Sequence, residues 1–413
     1  MESKPRYFLL ECFCRESFLP LFRRALPSLA VFPSAPLLQL IFISLLAHSA
    51  LAGARVTTSL YALSLHASEF TIGTLIALFA LFPMLLAVSA GRAIDRIGIV
   101  RPMLAGCAAI AAGCALPGFV SGLPVLYLAT ILIGTGFMVV QVAAQHTVGA
   151  ISAAERRASN FSWLALGFSI SGFCGPVMAG FLIDHARHDV AYLAFCMIAL
   201  SALSLTACGR LRQVRPAAQE KEACAGGAMQ LLRDRELRRI YIVGTLLASA
   251  WDLFTFVLPI HGAHLGFSAS TIGIILGSFS AATFLVRLGM PWIARHYSEW
   301  HVLTAALILA VVCYALFPLT GRPASMMAVA AMLGAAVGSS QPNMLALLHH
   351  AAPSGRGAEA VGVRITIGNA CQVILPLAFG GAGAALGLPA VFWAMSAMIG
   401  AGVPAAWHQA FRK

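Results

Sequence analysis

Apolar stretches of about 20 residues, each closed by a short polar or Gly/Pro-containing segment, recur along this chain from residue 37 almost to its end. A bilayer core of roughly 30 Å takes about 20 apolar residues to cross as a helix. In lipid every backbone N–H and C=O must find its partner inside the segment, so helix is the form such runs take. Twelve spans follow: 37–60, 70–91, 102–121, 124–147, 161–183, 190–209, 240–260, 270–293, 301–320, 324–347, 361–385 and 389–408. The long polar stretch 210–239 separates six from six. The expected organisation is an N-terminal segment 1–36, a first bundle 37–209, a central loop 210–239, a second bundle 240–408 and a tail 409–413. Residues 1–36 carry Glu2, Glu11, Glu16 and several prolines ahead of the first clean span, which does not read as a cleaved signal peptide.

Composition agrees with the pattern. Of 413 residues 60% are apolar and 10% charged, against about 25% charged in an ordinary soluble chain. A soluble enzyme is excluded, because a fold of this size needs more charge to clothe its surface. The net charge of +12 would suit nucleic acid or acidic lipid, and its placement decides. With the N-terminus inside, the segments on that side carry 22 of the 27 Lys and Arg and the outer loops carry two, Arg187 and Arg322. That asymmetry puts both termini in the cytosol. Only Lys4, Lys221 and Lys413 are lysine, which with the Ala and Gly content suggests a GC-rich bacterial genome and hence a multi-pass protein of the bacterial inner membrane. The ten cysteines form no C-x2-C pair and have no zinc-like histidine spacing, so neither a disulfide framework nor a metal or other cofactor is expected.

A shift of 200 residues brings the halves into register without a gap. It pairs Ser68/Ser268, Thr71/Thr271, Ile72/Ile272, Gly73/Gly273 and Phe79/Phe279, and further on Gly134/Gly334, Gln141/Gln341, Arg156/Arg356, Pro176/Pro376 and Gly180/Gly380. Two copies of a six-helix unit in the same orientation imply an axis along the membrane normal and a binding site between them. After span 2 the chain reads Gly91-Arg92-Ala93-Ile94-Asp95-Arg96-Ile97-Gly98, and span 5 holds Gly167, Gly172, Gly175, Pro176 and Gly180. The first segment resembles the loop 2–3 signature GxxxDRxG of the major facilitator superfamily. The second is similar to the glycine-proline signature of its antiporter branch, with contracted spacing. The resemblance covers essentially the whole chain and implies an all-α fold of 12 transmembrane helices in two pseudo-symmetric bundles. Two departures stand out: Ile99 and Val100 replace the basic pair that usually follows the loop signature, and span 4 lacks the arginine typical of drug/proton antiporters.

Asp252 alone among the 15 acids lies well inside a span, about 12 residues or 18 Å into span 7. An ionisable group at that depth is a functional candidate by default. Asp252 could take up a proton or neutralise a cationic substrate, or form a fixed membrane ion pair with Arg287 of span 8 or Arg55 of span 1. The 200 shift places Asp252 opposite Ala52, a helical turn from Arg55, so both face one cleft from opposite halves. Arg55 would suit a carboxylate-bearing substrate. Gln141 and Gln145 share a face of span 4, with Gln341 and Asn343 in the matching part of span 10; they could hydrogen-bond a substrate or hold helices together. Trp251 and His48 are weaker cavity candidates, as are Asn369 and Gln372 on span 11. Gly172, Gly175, Pro176 and Gly180 read as helix-packing residues. Gly91, Asp95, Arg96 and Gly98 correspond, by the resemblance, to a conformational latch in which Asp95 sits by a helix N-terminus. Its counterpart in the second half is Arg295, so the latch is one-sided.

The expected activity is secondary transport of a small organic solute by alternating access, by a monomer in the lipid bilayer. Neither catalytic cluster nor phosphate-binding loop is present, and nucleic acid is not a partner. Direction stays open: proton-coupled efflux by antiport is favoured by the glycine-proline span, and uptake of a metabolite or siderophore-like compound by the missing span 4 arginine. A membrane-embedded sensor or enzyme is the alternative of another class.

Overall fold

The computed structural model describes residues 34–152, 154–208, 228–353 and 357–411, and every regular element among them is a helix. Twelve are long and apolar enough to cross a membrane. We number them α1 (Ala35–Ser64), α2 (Glu69–Ile97), α3 (Val100–Phe119), α4 (Leu123–Ile151), α5 (Ala154–His185), α6 (His188–Cys208), α7 (Arg235–His264), α8 (Ala269–His296), α9 (Glu299–Leu316), α10 (Pro323–Ala351), α11 (Gly357–Leu386) and α12 (Leu388–Gly400). The twelfth span is longer than α12 itself: it runs on past Ala401 and Gly402 through a further helix, Val403–Ala410, and so covers Leu388–Ala410.

Local chemistry explains where several helices begin. Ser68 and Ser268 cap α2 and α8 in the same way, each Oγ accepting from the N–H of Thr71 or Thr271 at 3.2 Å. Such a cap satisfies one of the four donors that a helix start leaves free. α7 begins at Arg235, inside the stretch expected to be loop up to residue 239, because Asp234 Oδ1 accepts from the N–H groups of Glu236 and Leu237, both at 2.9 Å. A short helix, Ala228–Arg233, also falls inside that stretch; its Leu231 is 1% exposed and anchors it to the bundle. The turn before α8 needs a left-handed residue and has Gly266 (φ 75°); the matching turn before α2 uses His66 (φ 57°).

The halves pack alike. In the first, α1 lies against α5 and α6, and α4 against α2 and α3; in the second, α7 lies against α11 and α12, and α10 against α8 and α9. Residues kept by the repeat make these contacts. A β-carbon on Gly134 would run into the Phe79 carbonyl, and one on Gly334 into that of Phe279.

Between the halves run two long seams, α5 along α8 and α2 along α11. They too are equivalents: Gly273 sits on the Pro176 carbonyl and Gly73 on that of Pro376, while Gly180 abuts Ala269 and Gly380 abuts Glu69 and Phe70. Pro176 lacks an N–H and so frees the carbonyl of Gly172 one turn back. Ser280 of α8 takes up that oxygen across the seam at 2.9 Å. Gly175 serves a different neighbour, the backbone of α1 at Ser49 and Gly53. Gly175 and Gly180 thus each leave room for the backbone of a neighbouring helix.

The seam between α2 and α11 is closed at only one end. Gly73 and Gly91 are 18 residues apart, five full turns, and so lie on one face of α2; Gly380 and Gly362 stand in the same relation on α11. Gly73 and Gly380 are in contact, whereas a β-carbon at Gly91 or Gly362 would meet nothing within 4 Å. That seam therefore closes at the end away from the chain termini, here called outer, and is open at Gly91 and Gly362 toward the inner end, where α1 begins.

Candidate functional site

The site forms where α1 and α7, the leading helices of the two halves, lie against each other. Asp252, 7% exposed, sits just past the middle of α7. Its carboxylate has the Gln372 side chain of α11 as a polar neighbour and faces Arg55 of α1 across the boundary between halves. Among the described residues, ion pairs within 4.0 Å join Arg187 to Asp189 and His264 to Glu69. Arg55 and Asp252 thus attract each other at longer range. Taking a charge out of water is expensive, and an opposite charge with hydrogen bonds offsets that cost. Neither of these two residues alone could be held here cheaply.

Two turns before Arg55, on the same face of α1, His48 bonds through Nδ1 to the Ser171 hydroxyl of α5 at 2.5 Å. Its ring lies 5.2 Å from both Phe137 of α4 and Phe168 of α5, and it is within electrostatic reach of Arg55. One wall is thereby aromatic and polar together. Arg55 and Asp252 thus lie on the leading helices of opposite halves, with His48 two turns before Arg55 on α1.

Several sequence candidates take other positions. Among the described residues no acid pairs with Arg287: it donates from Nη1 to Ser169 Oγ of α5 at 3.0 Å and from Nη2 to Gln341 Oε1 of α10 at 3.1 Å. It is held by neutral acceptors because it enters the α5·α8 seam, away from Asp252. Gln341 is engaged by that arginine. Asn343 is 5% exposed and bonds back to the Ser339 carbonyl of its own helix at 2.7 Å. The two residues are two positions apart, about 200° around a helix, and cannot share a face. Gln141 is half-buried and Gln145 exposed on α4. Trp251 stands edge-on to Phe279 with ring centres 4.7 Å apart, a packing contact.

In the loop 2–3 segment α2 runs on to Ile97, and Gly98 closes it at φ 79°, its N–H bonded to the Ile94 carbonyl at 3.0 Å. That backbone shape is one only glycine takes readily. Arg96 is exposed and Gly91 half-buried; the Asp95 side chain lies outside the described residues. Sequence reasoning missed Ser171 and Ser169, which look like ordinary helix serines, and Asp184 at the end of α5. A signal for Asp184 existed, since the 200 shift pairs it with Ala384 and so marks an acid that the repeat does not keep.

The sequence matches the family model described as Major Facilitator Superfamily over residues 40–376. It is 30% identical over 126 residues to the tetracycline resistance protein, class B, of Escherichia coli, and the match spans 30% of each chain. In fold it is similar to a POT family transporter in complex with a thioalcohol conjugated peptide (TM-score 0.73, 14% identity, 90% of this chain and 94% of that one). The nucleoside transporter NupG is equally close (TM-score 0.73, 13% identity, 91% and 100%). A bacterial homolog of the human lysosomal transporter Spinster, in an inward-facing and occupied conformation, also superposes (TM-score 0.72, 14% identity, 91% and 96%). At these identities the likeness is one of fold. With twelve membrane-spanning helices in two equivalent bundles and a family model covering most of its length, this chain belongs to the Major Facilitator Superfamily.

Proposed function

We propose that the protein is a secondary transporter that moves a small organic solute by alternating access and exports it in exchange for protons. The observation that carries this reading is the placement of Arg55 and Asp252. They come from opposite halves and attract each other without forming an ion pair within 4.0 Å. A solute bound there touches both halves, so rocking of the halves would expose it to each side in turn. Arg55 would hold an anionic oxygen of the solute. Asp252, freed from Arg55 by that competition, would bind and release the proton.

Efflux is favoured by the glycine-proline segment of α5 and by the partial likeness to a tetracycline resistance protein. Uptake of a carboxylate-bearing metabolite is the second reading, favoured by the absence of a span 4 arginine. The 22-to-2 bias of basic residues supports placing both termini, and the open end of the α2·α11 seam, on the cytosolic side of a bacterial inner membrane. The test is an accumulation screen in cells with and without the protein, with tetracycline as the first probe and amphipathic carboxylates next. Lower accumulation with the protein supports efflux, and higher accumulation selects uptake. Equal accumulation of every compound, with the protein shown to be in the membrane, contradicts both.

A further inference from the structure

The helices that open the outer ends of the two seams, α2 and α8, are repeat equivalents with the same serine cap, yet they obtain the negative charge of their first turn differently. α2 carries its own acid, Glu69, at its first position; the equivalent residue of α8 is Ala269. The first two N–H groups of α8, those of Ala269 and Ser270, are taken instead by Asp184 of α5, at 2.9 Å to Oδ1 and 2.7 Å to Oδ2. Ser270 Oγ in turn donates to the Gly180 carbonyl at 3.3 Å. The acid of one half thus completes the helix start of the other. At the second seam this cannot happen, because the equivalent of Asp184 is Ala384. There Glu69 reaches His264 of α7 at 3.9 Å.

The position of Asp184 is poor for its own helix. It lies in the last turn of α5, where the helix dipole is negative and a carboxylate is disfavoured. Alongside the N-terminus of α8 the same charge meets a positive dipole and two free donors. Both benefits exist only while the outer ends touch, and both vanish when they part.

We infer that Asp184 is an outer latch that biases the transporter toward the state open at its inner end. The inference rests on the rocking of the two halves in the proposed function and holds whatever ion is coupled. In it, closure of the α5·α8 seam is charge-driven, closure of the α2·α11 seam is mainly steric, and Asp184 opposes any latch formed by Asp95 at the inner end.

Distances between spin labels in the full-length protein, reconstituted in lipid nanodiscs without solute or gradient, test it. One label pair replaces the exposed equivalents Ser121 and Gly321 at the outer end, and the other replaces Ile97 and Tyr297 at the inner end. Asp184→Ala, and to a lesser degree Asp184→Asn, should raise the outer-open population by roughly two- to thirtyfold, the range seen when a helix-capping acceptor is removed. The inner pair should shorten in step. Glu69→Gln should move it less than Asp184→Ala. Because Ser268 still caps α8, the variants keep their fold, which thermal unfolding checks. Unchanged distances in Asp184→Ala overturn the latch, and so does an outer change without the reciprocal inner one, which would mean local fraying. One fixed distance in the wild type, with and without solute, would overturn the rocking itself and the latch with it.

Discussion

The two halves of this transporter share a scaffold and divide its charges. Positions kept by the 200-residue repeat make the equivalent contacts: the serine caps of α2 and α8, the close approach of Phe79 to Gly134 and of Phe279 to Gly334, and the seating of each seam glycine on the proline carbonyl of the opposite half. Arg55, Asp252 and Arg287 inside the spans, and Asp184 at the outer edge, break the repeat. Arg55 is matched with Thr255, Asp252 with Ala52, Arg287 with Ala87 and Asp184 with Ala384 under the same shift. In the proposed account symmetry serves packing and rocking, while its exceptions carry binding and bias.

Changes at shared positions should therefore hurt both halves equally, and this is the largest effect expected. Gly180→Val and Gly380→Val each drive a side chain into the backbone of α8 or α2. Either should hold the outer ends apart, so that the outer label pair loses its short distance almost completely. Tolerance of one and not the other would show that the seams are not equivalent. Gly362→Val, five turns from Gly380 and in open space, should leave the outer distance unchanged.

Arg287→Leu comes next. It removes two hydrogen bonds from a charged donor, to Ser169 across the seam and to Gln341. It should destabilise the protein by about 1.5–3 kcal/mol, the usual worth of a hydrogen bond to a charged group, read by denaturation in detergent. A change near zero would mean that these two hydrogen bonds give no net stabilisation over a leucine packed in the same seam. Smallest is the pair Ser68→Ala and Ser268→Ala. Each removes one cap at the same distance and should cost about 1 kcal/mol. A clear excess for Ser268→Ala would mean that Asp184 does not share the capping of α8.

The twelve spans, the two bundles and the repeat were legible in the sequence because hydrophobic length and register act locally or through identical residues. The start of α7 was less so: Asp234 is one polar residue among many, and only its carboxylate geometry marks a helix cap. At the site, Asp252 and Arg55 stand out because a charge inside an apolar run is costly wherever it points. Their relation to His48 and Gln372 depends on which helices adjoin, which periodicity does not encode. For Arg287 the sequence suggests a carboxylate partner, because pairing is the usual solution, and the structure satisfies it with neutral oxygens. Asn343 matches Gln341 in depth alone, and their separation around the helix already sets them apart.

Solute-driven proton movement in proteoliposomes bears most directly on the division between scaffold and charge. A pH dye trapped inside should report proton flux when the solute identified by accumulation is added, and an imposed pH gradient should drive that solute. In Asp252→Asn both signals should vanish, while equilibrium binding of the solute persists and the label distances still report two states. Gradient-driven flux equal to wild type in Asp252→Asn would contradict the assignment of Asp252 as the coupling residue.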